Sequence, residues 1–207
     1  MLWDAKAQKI LRLDQHVARL MESAQALNFQ LNIAGLTQKL NDFVELHIQQ
    51  DSKIRVLLHR DGQLEITHAV IEATNDDMKQ IMLSDQKVDA NNILLKYKTT
   101  ERNLYESEFQ KASAHNCYDV LFMNTNNEIT ECSRHNIFIE KKGQWFTPPL
   151  ESGLLGGVKR AELIADLKEK CTVQILTLAD IQSADRIFVT NSVRGLVEVK
   201  LVEKASQ

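Results

Sequence analysis

More than half of the glycines and prolines of the chain lie in one stretch, Phe146 to Arg160, which reads FTPPLESGLLGGVKR. The chain has seven glycines and two prolines, and this stretch contains both prolines and three of the glycines. Such a density of turn-forming residues predicts a constrained loop. Apolar residues then recur at helical spacing, which predicts a helix from Val158 to Lys170.

The loop and the helix together predict a site for an anion. A glycine-rich turn that leads into a helix N-terminus directs free backbone N–H groups toward one point, and the helix dipole adds positive potential there. The spacing matches neither GxGxxG nor a nucleotide P-loop, so neither kind of nucleotide site is expected. An ordinary turn before a surface helix is the alternative interpretation, and the stretch alone does not decide between the two.

The composition is that of an ordinary globular protein. With 207 residues, 43% of them hydrophobic, the chain is long enough for one large domain or two small ones. The formal net charge of −3 gives no electrostatic footprint for nucleic acid or an anionic membrane, so neither partner is expected. No apolar run is long enough to span a membrane and the start lacks signal-peptide features, so we expect a cytoplasmic protein. Cys117, Cys132 and Cys171 form no CxxC pair, so neither a disulfide framework nor a metal site is predicted.

The first part of the chain predicts two helices followed by a small sheet. Asp14 is expected to cap the first helix, and the second helix is expected from Leu36 to Ile48. Asp61-Gly62 lies between two strand-like runs and predicts a β-hairpin from Ile54 to Thr67. These elements indicate an N-terminal α/β module.

A polar segment from Asp85 to Asn92 follows a predicted strand at Gln80 to Leu83 and is interpreted as a linker. We therefore predict one module at residues 1–92 and a second at 93–207. In the second module the pattern predicts helices at 101–115 and 158–170, and strands at 118–123, 136–141, 144–147, 172–176, 186–190 and 196–202. Strands that first meander and then alternate with helices indicate a fold of the α+β or mixed α/β class.

Two cations, Lys98 and Arg102, stand four residues apart in the segment KTTER. If Thr100 caps the following helix, both lie beside its first turn. A lysine in a partly desolvated site loses its proton easily and then attacks a carbonyl carbon, so a catalytic lysine is one interpretation. The sequence alone does not choose between Lys98 and Lys96, and a solvated charged surface is the alternative.

Three further positions are candidates for a site. Glu131 follows an alternating strand and is expected to point inward, where it needs a cationic partner such as a protonated ring nitrogen; an exposed edge glutamate is the alternative. The turn from Asn191 to Gly195 offers a hydroxyl and backbone N–H groups, either as a second anion contact or as a turn alone. Arg19 lies on the first predicted helix, where a surface ion pair is the default interpretation.

The order and spacing of these motifs resemble the class IV aminotransferases, which are pyridoxal-phosphate enzymes of fold type IV. The first helix of that family is similar to LDQHVARLMESAQALNF, its lysine segment to KTTERNLY, and its long signature to NEITECSRHNIFIEKKGQWFTPPLESGLLGGVKRAEL. The last phosphate loop of the family is similar to DRIFVTNSVRGL. The family includes branched-chain and D-amino-acid aminotransferases and aminodeoxychorismate lyase, and within it KTTER and NSVRGL are most similar to the lyase.

The resemblance implies roles for individual residues. Lys98 is implied to form a Schiff base with pyridoxal 5'-phosphate, and Glu131 is implied to face the pyridine nitrogen. The implied contacts of the phosphate are Arg19, Gly157, Val158, Lys159, Ser192, Val193 and Arg194. Arg102 and Arg194 are implied as cations for a substrate with two carboxylates. The resemblance also implies a smaller N-terminal α/β layer, a larger pseudo-barrel-like C-terminal module, and a homodimer with the active site near the subunit interface.

Two departures from the family pattern concern the phosphate and the substrate. Lys159 stands where the family usually has a threonine, so it keeps a backbone contact and loses a hydroxyl contact. The start, residues 1–16, lacks most of the first strand, whose residues in relatives line the substrate side of the pocket. We expect a lyase that converts 4-amino-4-deoxychorismate to p-aminobenzoate and pyruvate. A branched-chain or D-amino-acid transaminase and a non-catalytic pyridoxal-phosphate-binding protein are the alternatives.

Overall fold

A computed structural model describes residues 1–72 and 77–202. The chain divides into two compact units, Met1–Asn75 and Asp76–Gln207. Within the described residues, no helix combines the length and the apolar character that a membrane span requires.

The first unit contains a small antiparallel sheet and two helices. Its elements are β1 (Leu2–Asp4), β2 (Lys9–Leu11), α1 (Leu13–Ala26), α2 (Ile33–His47), β3 (Ser52–Leu58) and β4 (Leu64–Val70). The strand order is β2-β1-β3-β4, and every pair is antiparallel. Leu36 and Leu40 on α2 pack against Trp3 and Ile54 of the sheet, so the apolar face of the helix forms the core of this unit.

Both predicted helices and the predicted hairpin of this unit are confirmed, with two local corrections. Asp14 lies in the first turn of α1 and does not cap it; the cap position is Arg12, with φ of 58° and no side-chain hydrogen bond. The loop between β3 and β4 runs from His59 to Gln63 and is not a two-residue turn, because Gly62 hydrogen-bonds back to His59 at φ of 90°. The first strand is short, as expected, and β2 beside it was not predicted.

The second unit is built on one large mixed sheet. Its elements are β5 (Lys79–Val88), α3 (Asn103–Ala114), β6 (Asp119–Asn124), β7 (Ile129–Cys132), β8 (Asn136–Lys141), β9 (Gln144–Thr147), α4 (Val158–Leu167), β10 (Cys171–Val173), α5 (Leu178–Gln182), β11 (Arg186–Asn191) and β12 (Gly195–Val202). Short 3₁₀ helices occupy Ile93–Lys96, Leu150–Ser152 and Lys168–Lys170.

The large sheet has eight strands in the order β10-β9-β8-β11-β12-β5-β6-β7. Three of its pairs are parallel, β10 with β9, β12 with β5, and β5 with β6, and the others are antiparallel. The sheet curls into a half-barrel around fully buried Ile81, Leu121, Ile129 and Val189. The mixed α+β class predicted from the sequence is confirmed.

The division between the units lies earlier in the chain than residue 92. The polar residues from Asp85 to Val88 continue β5 and are not part of a linker. Since β5 hydrogen-bonds to β6 and β12, it belongs to the second unit. Asp85, Gln86 and Lys87 are three consecutive exposed residues, which explains why this half of the strand has the composition of a loop.

Other features of the second unit also differ from the prediction, including the strand predicted at 172–176, which is Cys171–Val173. The cap position of α3 is Arg102, so the expected cap at Thr100 is wrong. Helix α4 ends at Leu167, where Lys168 adopts φ of 50°. Helix α5 was not predicted, although Thr177 and Asp180 form a reciprocal capping box at its start.

Candidate active site

Four elements of the second unit meet at the candidate site. Glu131 lies near the end of β7, and Asn136 is the first residue of β8. Asn136 pairs in register with Thr190, the next-to-last residue of β11. The side chain of Asn136 also contacts the backbone that leads into α4. The long signature, the last loop and the glycine-rich turn therefore converge around one asparagine.

Glu131 lies on β7, an edge strand of the large sheet, but it is a buried carboxylate and not the exposed edge glutamate of the alternative interpretation. It is 6% exposed, and its Oε2 accepts a hydrogen bond of 3.1 Å from Asn136 Nδ2. Burial raises the pKa of Glu131 to about 8, while the charge of Arg102, a backbone hydrogen bond from Leu155 and the charge of Lys98 act in the opposite direction. Within the described residues, no lysine, arginine or histidine forms an ion pair with Glu131. The site therefore holds a buried carboxylate whose ionised form an additional cation would stabilise.

Asn136 and Gly157 fit closely together beside this carboxylate. Asn136 Nδ2 also donates to the carbonyl oxygen of Leu155 over 2.8 Å, so one amide holds both the carboxylate and the loop. A Cβ atom on Gly157 would lie 1.9 Å from Asn136 Oδ1. This close approach is the reason why glycine is required at residue 157. Its backbone conformation is not the reason, because a φ of −68° is open to any residue.

A small cavity of about 40 Å³ opens beside Glu131. Its other lining residues are Asn92, Leu94, Leu95, Tyr97, Thr99, Glu101, Arg102 and Tyr105. The guanidinium of Arg102 lies 4.5 Å from the ring centroid of Tyr105 and donates to the carbonyl oxygen of Ser133. Tyr105 is 5% exposed, and its hydroxyl has no hydrogen-bond partner within the described residues. Burial, and then the charge of Glu131, raise the pKa of Tyr105.

The structure distinguishes Lys98 from Lys96. Lys98 lies at the centre of a tight turn, in which the N–H of Thr99 donates to the carbonyl of Tyr97 over 3.0 Å. Burial raises the pKa of Glu131, and the charge of Lys98 is one of the contributions that partly offset this rise. Lys98 is exposed, contrary to the partly desolvated setting that a readily deprotonated lysine requires. The charge of Lys98 therefore acts on Glu131, while the Lys98 side chain is exposed to solvent in the single chain.

The N-terminus of α4 has the features expected of an anion site. Gly157 is the cap residue, and no side chain caps the helix. Lys159 pairs its amine with Glu162 along the helix, so its side chain is committed there and its backbone N–H remains in the first turn. Arg160, which sequence reasoning did not single out, is 7% exposed and donates to Pro148 O over 2.7 Å. Arg160 therefore holds the Pro-Pro loop against α4.

The turn after β11 is built around Asn191. Asn191 Oδ1 accepts from the backbone N–H groups of Val193, over 2.9 Å, and Arg194, over 2.8 Å. These two N–H groups are thus committed to the turn, a feature that the sequence analysis missed. The half-buried side chain of Ser192 makes no hydrogen bond within the described residues. Burial raises the pKa of Tyr118, and the charge of nearby Arg194 offsets part of that rise. Arg194 does not line the cavity beside Arg102.

Arg19 belongs to the first unit. It lies half-buried on α1, where its carbonyl oxygen accepts from the hydroxyl of Ser23 over 2.8 Å. Its role as a phosphate contact stays a prediction.

Comparison with known proteins assigns the family of the chain. The sequence profile described as amino-transferase class IV matches residues 1–202. The chain belongs to the class IV amino-transferases. Members of this family use pyridoxal 5'-phosphate (PLP) as their cofactor. The resemblance stated from the motifs is therefore confirmed, and the chain has the fold and family of an enzyme.

Individual relatives of this chain differ in their named activity. The solved structure of a "putative amino-acid aminotransferase" from Mesorhizobium loti is 32% identical, with a TM-score of 0.90 over 98% of this chain and 97% of that one. A "putative aminodeoxychorismate lyase" of Schizosaccharomyces pombe is 23% identical over 96% of this chain and 89% of its own length. A "probable branched-chain-amino-acid aminotransferase" of Thermotoga maritima is 31% identical over 93 residues, which cover 44% of this chain. That match spans only 34% of the Thermotoga relative.

Proposed function

We propose that the chain binds PLP and acts as a lyase that converts 4-amino-4-deoxychorismate to p-aminobenzoate and pyruvate. The observation that supports PLP as the cofactor concerns Glu131. This carboxylate is buried, its pKa is raised to about 8, and it forms no ion pair within the described residues. A protonated pyridine nitrogen is a cation of the right chemistry for such a carboxylate. The donor set around it fits the rest of the cofactor.

The proposed ligands of the cofactor come from separate elements. Lys98 would attach it covalently, and Glu131 would hold the proton on its ring nitrogen. The phosphate would lie at the start of α4, against the backbone of Gly157, Val158 and Lys159, with the hydroxyl of Ser192 and the guanidinium of Arg19 as further donors. Because Asn191 already accepts from the N–H groups of Val193 and Arg194, we assign these two residues to shaping the turn.

The protein residues would divide the chemical work as follows. When bound, the cofactor supplies an electron sink for charge that develops at the substrate Cα. Ionised Glu131 keeps the ring nitrogen protonated, and Asn136 fixes the direction of that carboxylate. Lys98 Nζ would take the proton from the substrate Cα and pass it to the enolpyruvyl group, which leaves Cβ as pyruvate while the ring becomes aromatic. The exposed position of Lys98 leaves it accessible to an incoming amine.

Arg102 supports the lyase assignment. Among the described residues, Arg102 is the cation that lines the cavity beside Glu131, and its guanidinium would bind a carboxylate of the substrate. 4-Amino-4-deoxychorismate carries two carboxylates, whereas branched-chain amino acids carry one. The alignment with the Schizosaccharomyces pombe relative, which extends over most of both chains, supports the same assignment.

The test supplies 4-amino-4-deoxychorismate to PLP-loaded protein without a keto acid and follows p-aminobenzoate and pyruvate. Repeated release of both in equal amounts is the expected result. Arg102→Gln is expected to raise KM at least about ten-fold through loss of a charged hydrogen bond. Arg186→Gln is the matched control, because Arg186 pairs with Glu140 and Glu198 away from the cavity. Absence of release from protein that holds PLP would reject the lyase.

A transaminase is the second candidate, and the Mesorhizobium loti structure favours it. That structure is named as an amino-acid aminotransferase and matches almost all of both chains. Amino transfer from leucine or D-alanine to a keto acid, without release of p-aminobenzoate, would support this candidate. Bound PLP with neither reaction would support a non-catalytic binding protein.

We also propose a homodimer, on the basis of apolar surface in the first unit. Leu46 on α2 is 76% exposed and Val70 on the edge strand β4 is 49% exposed. Exposed apolar side chains on a helix and on an edge strand favour a second copy as partner. Light scattering of purified protein tests this, and a monomer with full turnover would reject it. The cytoplasmic location expected from the sequence stays a prediction.

A further inference from the structure

Asp119, at the start of β6, is a fully buried carboxylate that the proposed chemistry does not use. Its Oδ2 accepts from the N–H of Arg134 over 3.1 Å and lies 2.6 Å from His135 Nδ1. Its Oδ1 accepts from the N–H and the hydroxyl of Ser133 and from the N–H of Val120. Nearly all of these donors lie in the turn Ser133–His135, which connects β7 to β8 directly after Glu131.

The same turn presents two carbonyl groups to residues of the candidate site. The carbonyl of Ser133 accepts from the guanidinium of Arg102, which lines the cavity. The carbonyl of Arg134 accepts from Asn191 Nδ2 over 3.2 Å. Asn191 Oδ1 in turn closes the loop that carries Ser192. A continuous series of hydrogen bonds therefore runs from Asp119 to the cavity cation and, separately, to the turn at residues 191–195.

We propose that Asp119 is a positioning residue, which fixes the turn Ser133–His135 and through it places both Arg102 and the turn at residues 191–195. A buried carboxylate without an arginine or lysine partner is costly, and this one is stabilised by backbone N–H groups, a hydroxyl and His135. Without the carboxylate, the N–H of Arg134 loses its acceptor and the turn loses its fixed direction. Its importance for the reaction rests on the proposed function, whereas its effect on the two turns does not.

The experiment compares Asp119→Asn, Asn191→Ala and the double variant with the wild type. Backbone amide exchange in the cofactor-free chain is the first readout. Asp119→Asn should speed exchange directly at Arg134 and, through the hydrogen-bonded series, at Val193 and Arg194. The second readout is the affinity for PLP, which each single variant should weaken about five- to ten-fold, the loss of one well-placed hydrogen bond. Exposed Asp166→Asn is the control for loss of an aspartate charge.

The double variant separates a connected series from general destabilisation. If Asp119 acts on the turn at residues 191–195 through Asn191, the two losses of affinity should not add up. The double variant should then bind PLP no more weakly than whichever single variant has the lower affinity for PLP. Multiplication of the two losses, or faster exchange confined to Arg134, would overturn the proposal. If Asp119→Asn does not fold, Ser133→Ala removes one donor to Asp119 and should give the same pattern at smaller size. If the wild type does not bind PLP, the proposed function fails, and the exchange at Val193 and Arg194 still decides the role of Asp119.

Discussion

The side-chain amide of Asn136 donates a hydrogen bond to Glu131 through its nitrogen, and its oxygen lies in close contact with Gly157. The hydrogen bond from Asn136 Nδ2 to Glu131 Oε2 is 3.1 Å, and Asn136 Oδ1 occupies the space that a Cβ on Gly157 would need. The orientation of the buried carboxylate therefore depends on the absence of a side chain two elements away.

Gly157→Ala should displace Asn136 and disturb Glu131. The alanine Cβ would lie 1.9 Å from Asn136 Oδ1, so the Asn136 side chain must move. Overpacking of this kind costs about 1–3 kcal/mol. We expect lower stability in urea unfolding and weaker PLP binding. Gly156→Ala is the matched control, because its Cβ would meet Leu150 at an ordinary 3.8 Å. Equal behaviour of the two variants would show that Asn136 is free to rotate.

The raised pKa of Glu131 predicts a pH dependence of stability in the cofactor-free chain. Burial raises this pKa to about 8 from its ordinary 4.5, so between these values the folded chain binds one proton more than the unfolded chain. The stabilising contribution of the protonated carboxyl is present below pH 4.5 and is lost as the pH rises through 8. The free energy of unfolding of the wild type should thus fall relative to that of Glu131→Gln between about pH 5 and about pH 9. Parallel profiles of the two proteins in urea would contradict the burial of Glu131.

Tyr105→Phe should leave the chain as stable as the wild type or make it more stable. The buried Tyr105 hydroxyl has no partner within the described residues, and an unsatisfied buried hydroxyl costs about 1–3 kcal/mol. Phenylalanine keeps the ring that Arg102 covers and the ring contact with Phe122. Tyr118→Phe is the comparison, since the Tyr118 hydroxyl lies 3.4 Å from His135 Nε2 and loses that contact. A large loss of stability in Tyr105→Phe would show that solvent in the cavity satisfies the hydroxyl.

The elements that the sequence predicted best are those that local chemistry determines. The hairpin of β8 and β9 has the predicted bounds, because Lys142-Gly143 supplies two residues with positive φ between two apolar runs. The start of α4 at Val158 follows from the glycines before it and from its helical period. The sequence left the direction of Glu131 open, because all four residues of β7 are buried and burial does not alternate along the strand.

What the sequence did not predict depends on contacts between distant residues. Strand β5 belongs to the second unit because it pairs with β12, more than a hundred residues later, and no local pattern carries that information. Asp119 and Asn191 are residue types that commonly occur at the ends of strands, so neither is conspicuous in the sequence. Their partners lie in the turn Ser133–His135, so their roles emerge only after the sheet has formed. Tyr105 fits the apolar face of a helix in the sequence. What makes it unusual is its buried hydroxyl, which has no hydrogen-bond partner within the described residues.

Lys98, and not Lys96, should carry the covalent link to PLP. Both lysines are exposed, but Lys98 is the one whose charge partly offsets the raised pKa of Glu131, whereas Lys96 ends a 3₁₀ helix. Borohydride treatment of PLP-loaded protein, followed by peptide mass analysis, should place the label on Lys98. Lys98→Ala should lose the label and the visible absorption band but keep its fold, whereas Lys96→Ala should keep all three. A label on Lys96 in the wild type would show that the assignment is displaced by one alternating position.

Ser192→Ala and Lys159→Ala should differ in their effect on the phosphate of PLP. The Lys159 amine pairs with Glu162, so a phosphate at the start of α4 would use the backbone N–H of this residue, which alanine retains. The Ser192 side chain makes no hydrogen bond within the described residues and is thus available as a donor to the phosphate. Loss of one hydrogen bond to a charged group should weaken PLP binding about ten-fold in Ser192→Ala. Lys159→Ala should change it less than about two-fold.

Pyridoxal without the phosphate is the control ligand, because its affinity should be the same for both variants and the wild type. If Lys159→Ala weakens PLP binding more than Ser192→Ala does, the lysine leaves Glu162 for the phosphate and the anion site is a side-chain site. If Ser192→Ala weakens pyridoxal and PLP equally, Ser192 supports the turn at residues 191–195 and does not donate to the phosphate.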